Sequence, residues 1–273
     1  MGRMTVTIAT LLLAPAGNLL AETAAWFENV SQGRCQLKFV VLSIATPLRP
    51  LVFYHELGGK GRWPRNSQAL AADLLARLDF NGASCLRACQ GKLLLITPDG
   101  FLPHTWHIPQ SGLGEGNILV RRYAVTPANA GLGPLAHELG HLVFDWPDLT
   151  WEPTADSECL MARGAAGNRA SDPAPPCAPL LVRAGWRDPV PITRELAVQS
   201  LGSHQVGYFS WEPWSIWVEK RETRGPQRLL AFATNDRNPA EPPRLLARLP
   251  FEAADGELPL LSLFAIHLRR LRA

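Results

Sequence analysis

The sequence lacks the features that mark several large protein classes. No apolar run in its 273 residues reaches the roughly 20 residues that a membrane-spanning helix needs, so no membrane span is predicted. The net charge is only +3, with 27 Lys and Arg against 24 Asp and Glu, and the charges are scattered along the chain, so a nucleic-acid partner is not expected. Internal repeats and low-complexity tracts are also missing, which excludes repeat architectures and points to an ordinary globular protein.

Cysteine is scarce and odd in number, which limits the roles that it can have. Cys85 and Cys89 have no second pair at the spacing of a zinc ribbon, so a structural zinc site is not expected. Two interpretations remain open. In an exported protein, bridges Cys85–Cys89 and Cys159–Cys177 would leave Cys35 free, whereas in a reducing compartment all five would be reduced and mostly buried thiols.

The N-terminal segment fits two interpretations. Arg3 followed by "MTVTIATLLLAPAGNLLA" resembles a signal peptide with cleavage near Ala21, which would make the protein extracellular. However, Thr5 and Thr7 alternate with apolar residues, and Asn18 is a plausible cap for a helix in "LLAETAAWFENVSQG". The alternation favours a strand that belongs to the fold.

Apolar patterns predict strands and helices in turn over the first part of the chain. Strands are predicted in "GRCQLKFVVLSI", "GKLLLITPDG" and "NILVRRYAV", and a helix in "SQALAADLLARLDF". His104 and His107, in "PHTWHIP", are expected in a surface loop, with a position in the wall of an active-site cleft as the alternative. Residues 150–180 are predicted to be a long loop because they contain much Pro, Gly and Ala.

The pattern changes in the last third of the chain, where short apolar runs are divided by Gly, Pro and Asn. This favours a β-rich region. The predicted organisation is an α/β domain over residues 1–190, with a helix packed on a twisted mixed sheet, followed by a β-rich C-terminal region over residues 191–273.

The segment "AHELGHLVFDWPDLT" carries the main chemical signal. His137 and His141 are four residues apart, so on a helix predicted from about Pro134 to before Pro147 both imidazoles lie on one face and can bind one zinc ion. Glu138 cannot bind the same ion together with this pair, but it can reach a water on the metal and act as general base. A near-copy, "HELGG" at residues 55–59, lacks the second histidine and is not expected to bind metal.

A catalytic zinc normally has three protein ligands and one open position, so a third ligand is needed. The acidic candidates after the motif are Asp145, Asp148, Glu152, Asp156 and Glu158. The helix should carry Asp145 away from the ion. Glu158 would suit a thermolysin-like plan with a second helix, but the segment before it contains a proline and shows no helical period. Asp148 is the preferred ligand because the chain must leave the helix at the preceding proline and can fold back towards the ion.

The segment "AHELGHLVFDWPDL" resembles the zinc motif of the immune inhibitor A-like metalloproteases, a secreted bacterial group of the metzincin-like set. In that family a Pro-Asp-Leu follows HExxH, and the resemblance implies that its Asp, here Asp148, is the third ligand. "ECLMARGAAGN" followed by "PAPPCAPLLVRAGW" is similar to the family's Met-turn segment, which implies that Met161 lies beneath the metal. The likeness spans roughly residues 5–190 and is most specific over residues 134–186.

The sequence departs from the family pattern at several places. Phe144 stands where the family has a turn glycine, and the linker to Asp148 is one residue longer. Thr150 and Trp151 stand where the family has a tyrosine. The family's Asp-rich loop is replaced by "DFNGASCLRACQGK", so a calcium site is not supported by the sequence.

Together these features predict a zinc-dependent endopeptidase that acts on a protein or peptide substrate, with His137, His141 and Asp148 as ligands and Glu138 as general base. Residues 1–190 would then be an α/β catalytic domain of zincin type, with the active-site helix packed on its sheet. One alternative is a catalytically inactive zinc-binding protein on the same fold. A second alternative is a metal-dependent hydrolase of a non-protein amide. Zinc content together with cleavage of an unstructured protein would separate the three.

Overall fold

The computed structural model describes residues 2–42, 47–55, 65–107, 120–149, 158–192, 201–202, 204–221 and 228–250. Within these ranges no helix combines the length and the apolar character that crossing a membrane requires. The chain forms two compact units. The first comprises Met1–Trp146 and Arg163–Ala174, and the second comprises Pro147–Ala162 and Pro175–Ala273.

A five-stranded mixed sheet forms the centre of the first unit. Its strands lie in the order β2-β1-β3-β5-β4, and all are parallel to their neighbours except β4, which pairs antiparallel with β5 at one edge. Most of β3 and β5 is buried, as expected for parallel strands that are covered on both faces. The strands are β1 (Met4–Leu12), β2 (Cys35–Val41), β3 (Lys92–Thr97), β4 (His104–His107) and β5 (Arg122–Pro127).

Helices cover this sheet: α1 (Leu19–Val30), α2 (Arg65–Leu75), α3 (Phe80–Ala88) and α4 (Leu132–Phe144). Leu70 and Leu74 of α2 and Leu86 of α3 share a buried core with Leu93 and Leu95 of β3. Because side chains alternate along a strand, the intervening residues of the sheet point to the other face. There, α1 contacts β2 and α4 contacts β5.

Most elements predicted in the first unit are confirmed, including strands β1, β2, β3 and β5 and helices α1, α2 and α4. Met4–Leu12 is a strand paired on both sides, as the Thr alternation indicated. The extracellular location stays a prediction. Apart from His55, the near-copy "HELGG" lies outside the described residues.

Two elements of the first unit were not predicted. Helix α3 begins at an N-cap residue, Asp79, whose carboxylate accepts a hydrogen bond of 2.7 Å from the Gly82 N–H. The loop predicted around His104 and His107 is wrong, because these residues begin and end β4. β4 has only four residues and lies between two prolines, so its alternation of side chains is too short to be recognised in the sequence. Its hydrogen-bonded pairing with β5 is what identifies it as a strand.

The second unit contains a second five-stranded sheet, in the order β10-β9-β8-β7-β6. Its strands pair antiparallel except β6 and β7. Residues 251–273 lie outside the described residues, and the predicted domain boundary at residue 190 stays a prediction. The elements are α5 (Ala178–Arg183), β6 (Asp188–Pro191), β7 (Gln205–Trp211), β8 (Trp214–Arg221), β9 (Arg228–Asn235) and β10 (Arg244–Pro250).

All five cysteines are free thiols in this structure, so neither bridge considered from the sequence is present. Cys85 lies in α3 and Cys89 caps its C-terminal end. Residues at this spacing have Cβ atoms about 5–6 Å apart, which is wider than a disulfide allows. Cys159 and Cys177 are buried side by side, and the Cys177 N–H donates to the Cys159 sulfur at 3.2 Å.

Candidate metal centre

The start of α4 is fixed by close backbone packing within the first unit. Gly133 donates its N–H to the carbonyl of Ala170 at 2.7 Å. A Cβ atom at Gly133 would lie 2.3 Å from the carbonyl oxygen of Ala165, so only glycine fits at this position. The helix that carries the histidines is therefore held at its first turn by the segment of residues 165–170.

His137 and His141 lie one turn apart on α4 and face each other. Their Nε2 atoms are 3.1 Å apart, and the ring planes are inclined by 79°. Ligand atoms of His137, His141 and the exposed Asp148 all lie within 4.8 Å of one another. The two Nε2 atoms have nearly the spacing of ligands that lie about 2.0–2.2 Å from a single zinc ion, and the exposed Asp148 carboxylate lies nearby. Two imidazoles with a carboxylate are a common zinc donor set. The three side chains therefore fit a zinc site.

The orientation of the His141 ring is set by a backbone carbonyl. Its Nδ1 lies 2.5 Å from the carbonyl oxygen of Trp146, so Nδ1 is the protonated nitrogen and donates this bond. The lone pair of a neutral ring then belongs to Nε2, which faces His137. Metal-binding histidines commonly have this second contact, because it fixes both tautomer and ring direction.

The chain turns sharply at the end of α4, and this turn leads to Asp148. Asp145 has a left-handed conformation (φ 57°), and the Trp146 N–H donates to the Gly140 carbonyl at 3.2 Å. Arg122 of β5 holds this turn from outside the helix. Its Nη1 donates to the His141 carbonyl oxygen at 2.7 Å, and its Nη2 pairs with the Asp145 carboxylate at 2.9 Å.

The other acidic candidates for a third ligand differ from Asp148 in their surroundings. Asp145 is paired with Arg122, as described above. Glu158 is buried in the second unit, with its carboxylate 3.3 Å from Arg228 and 3.7 Å from Arg248. Glu152 and Asp156 lie outside the described residues. Among the described candidates, only Asp148 lies with the two histidines.

Glu138 is only 6% exposed, although it is charged. The hydroxyl of Thr105, on β4, lies 2.9 Å from the Glu138 carboxylate and 2.9 Å from its carbonyl oxygen. A hydroxyl has one proton, so Thr105 donates to one of these oxygens at a time. The edge strand thus supplies a partner for the carboxylate, and the sequence argument, which looked for that partner only in a metal-bound water, missed it.

Met161 lies in a turn of the second unit and is buried, with 1% of its surface exposed. Its carbonyl oxygen accepts a 2.8 Å hydrogen bond from the N–H of Leu149, the residue after Asp148. The backbone bond links the turn to the segment that carries the proposed ligand. A Met-turn role for Met161 stays a prediction.

Two residues that shape this site were not identified from the sequence. Thr105 and Arg122 come from β4 and β5, far from the motif along the chain, and neither belongs to a pattern of its own. The one available signal for Thr105 is that it alternates with His104 and Trp106, as in a strand. It is the antiparallel pairing of β4 with β5 that brings both residues to α4.

Comparison with known proteins gives little at the level of sequence: neither a protein-family model nor a curated protein matches the chain. Among solved structures, the crystal structure of archaemetzincin from Methanopyrus kandleri is similar at 15% identity, with a TM-score of 0.37. The match covers 67% of this chain and 95% of that chain.

Proposed function

We propose that this chain is a zinc-dependent peptidase. The observation that carries the proposal is the convergence of His137, His141 and Asp148 beside a buried Glu138 that has a hydroxyl partner. Removing a carboxylate from water is costly, so a buried glutamate needs groups around it that stabilise its charge. Its position next to two facing imidazoles fits the chemistry of metal-assisted hydrolysis.

In this proposal His137 and His141 hold the ion through Nε2, and Asp148 through its carboxylate. When bound, zinc would act as a Lewis acid and lower the pKa of water towards about 7. Glu138 accepts the proton of the attacking water and passes it to the leaving amine. Thr105 orients the Glu138 carboxylate, and Trp146 and Arg122 hold His141 through its ring and its carbonyl.

The position of β4 favours an extended peptide as substrate. β4 is the outermost strand of its sheet among the described residues and lies against α4. The outer edge of such a strand can add an extended peptide through backbone hydrogen bonds. Because Thr105 of this strand contacts Glu138, a peptide paired along β4 would pass close to the general base.

Metal analysis of matched variants tests the ligand set. Asp148→Asn and Asp145→Asn each remove one carboxylate, and Asn tolerates the left-handed conformation at position 145. We expect wild type and Asp145→Asn to contain about one zinc per chain, and Asp148→Asn to lose most of it. Cleavage of casein by the zinc-loaded wild type should be abolished by a chelator and restored by zinc.

Two outcomes would contradict the proposal. If Glu158→Gln emptied the site while Asp148→Asn kept its zinc, the third ligand would be Glu158, as in the thermolysin-like plan. If wild type with full zinc cleaved no protein or peptide, the zinc would belong to an inactive binding protein or to a hydrolase of another amide.

A further inference from the structure

A cationic pocket lies in the first unit, next to the end of α4. Its volume is about 380 Å³, and it is lined by Gln90, Lys92, His107, Arg121, Arg122 and Leu142 among others. The sheet register explains why these residues meet. Lys92 of β3 is paired with Arg122 of β5, and Arg122 is paired with His107 of β4, so three basic side chains form one row across three strands.

Positive charge in this pocket is only partly balanced. Asp145 pairs with Arg122, but the described part of the lining contains no acidic residue. Over the described ranges, Arg121 makes no hydrogen bond or ion pair. Lys92 donates to the side-chain oxygen of Gln90 at 2.7 Å, and burial lowers the pKa of Lys92 because its ammonium group is partly removed from water.

The pocket also presents directed hydrogen-bond donors. Arg122 Nη2 lies 3.3 Å from His107 Nδ1, and since a guanidinium can only donate, Nδ1 is the acceptor. In a neutral ring the proton of His107 is then on Nε2. The lining thus offers an imidazole N–H, an ammonium group and the guanidinium of Arg121, which is the donor set that recognises carboxylates.

The same residues connect this pocket to the candidate metal centre. Arg122 lines the pocket and donates to the carbonyl oxygen of His141, and Leu142 in the lining is the next residue of α4. Thr105, the second residue of β4, contacts Glu138 of α4, and His107, the last residue of β4, lines the pocket. An extended peptide paired along β4 would therefore bring one of its ends, or a side chain near that end, to the basic row.

We propose that this pocket binds a carboxylate group of the peptide ligand, with Arg121 and Lys92 as the residues that recognise it. The inference rests on the proposed peptidase function for the identity of the ligand. The carboxylate can come from an acidic side chain or from the C-terminus of the peptide, since both present the same two oxygens.

Binding of synthetic peptides to the full chain tests this proposal without relying on activity. Calorimetric titration uses the Glu138→Gln variant, so that peptides are not cleaved. Two pairs of acetylated hexapeptides of one sequence are compared: Glu against Gln at one position, and C-terminal acid against C-terminal amide. A charge-assisted hydrogen bond is worth roughly tenfold in affinity, so the carboxylate peptide of at least one pair should bind about tenfold more tightly than its neutral counterpart.

Three variants in the same background identify the site. Arg121→Gln and Lys92→Gln should each reduce the preference for the carboxylate to about threefold or less. Lys38→Gln removes the same charge from an exposed position on β2, at the opposite edge of the sheet, and should leave the preference unchanged. Which pair of peptides shows the preference identifies the source of the carboxylate.

The proposal fails if neither carboxylate peptide binds more tightly than its neutral counterpart. It also fails if Arg121→Gln and Lys92→Gln prefer the carboxylate peptide as strongly as the Lys38→Gln control does. It fails too if inorganic phosphate at the peptide's own concentration displaces the peptide, because the pocket would then be a general anion site. Failure of the proposed function is distinguishable. A zinc-loaded wild type without peptidase activity that keeps the carboxylate preference would refute the peptidase and leave the pocket standing.

Discussion

The two units use their charged and polar side chains in different ways. In the first unit, Arg122 has 22% of its side chain exposed and donates a hydrogen bond to the carbonyl oxygen of His141 in α4. The imidazoles of His137 and His141 face each other on that helix. In the second unit, Arg221 is 5% exposed, and its donors go to the Glu219 carboxylate and to carbonyl oxygens of residues 158, 175 and 176. The first arrangement leaves two imidazole nitrogens facing each other, whereas in the second the donors of Arg221 are bound by oxygens of the same unit.

This difference separates residues that the proposed function needs from residues that hold the chain together. Buried charges with complete sets of partners are costly to disturb, because removal of one partner leaves the other in an apolar surrounding. Side chains around a metal site are arranged for a group that comes from outside. Substitutions of the residues around His137 and His141 should therefore reduce activity with little loss of stability, and substitutions of Arg221 and its partners should do the opposite.

The largest expected effect concerns Glu138. Glu138→Gln keeps the shape and the contact with Thr105, but the amide cannot accept the proton of the attacking water. We expect activity to fall by roughly 10²–10⁴-fold, with zinc content and thermal stability close to wild type. Peptidase assays and metal analysis of purified protein measure both. Glu22→Gln, on the exposed side of α1, is the control and should keep full activity. Equal activity in the two variants would show that Glu138 is not the base.

Substitution of Arg221 should lower stability rather than affect the proposed chemistry directly. Arg221→Met leaves the Glu219 carboxylate buried without its cation, and we expect a loss of about 3–5 kcal/mol in the free energy of unfolding. Burial already raises the pKa of Glu219, so this glutamate favours folding when it is protonated, and its contribution is lost as the pH rises through the raised pKa. The loss in Arg221→Met should therefore shrink as the pH falls towards the usual glutamate range.

Urea denaturation at several pH values measures this effect. Arg237→Met, at an exposed turn position, is the matched control and should be nearly neutral. A loss for Arg221→Met that did not depend on pH would indicate that the packing of the guanidinium, rather than the charge of Glu219, is responsible.

The buried thiols Cys159 and Cys177 offer a way to strengthen the second unit. Refolding of the reduced chain in a buffer of oxidised and reduced glutathione should join them, because their side chains lie together in the folded protein. Closing a loop of roughly 15 residues stabilises a protein by about 3 kcal/mol in the chain-entropy model. Intact mass after alkylation under denaturing conditions reports the bridge, and thermal melting reports the stabilisation. If both thiols are still alkylated after oxidation, the pair cannot adopt disulfide geometry.

The smallest expected effect concerns Thr105. Thr105→Val removes the hydroxyl that contacts Glu138 and keeps the branched shape that suits a strand. One net hydrogen bond is worth about 1–1.5 kcal/mol, so we expect kcat to fall by roughly tenfold with KM and stability little changed. Thr105→Ser should restore most of the rate. A Ser variant as slow as the Val variant would indicate that the methyl group, and not the hydroxyl, is what the site needs.

Several features followed from local rules of chain geometry. The i,i+4 spacing puts His137 and His141 on one face of any helix, and Glu138 must then point elsewhere. The proline after Trp146 forces the chain out of the helix, which explains why Asp148 was preferred over Asp145. Helix α3 was missed because "FNGASCLRA" has no clear apolar period and is recognisable mainly from the cap at Asp79.

By itself, the sequence determined the helix of the HExxH motif, the two histidines on one face of it and the apolar strands of the first sheet, because these depend on residues that are close along the chain. Only the tertiary structure decided that Thr105 meets Glu138, that Arg122 holds the end of α4, and that Lys92, Arg122 and His107 form one basic row. Each of these depends on strand register, and register is set by the packing of the whole sheet rather than by any local pattern.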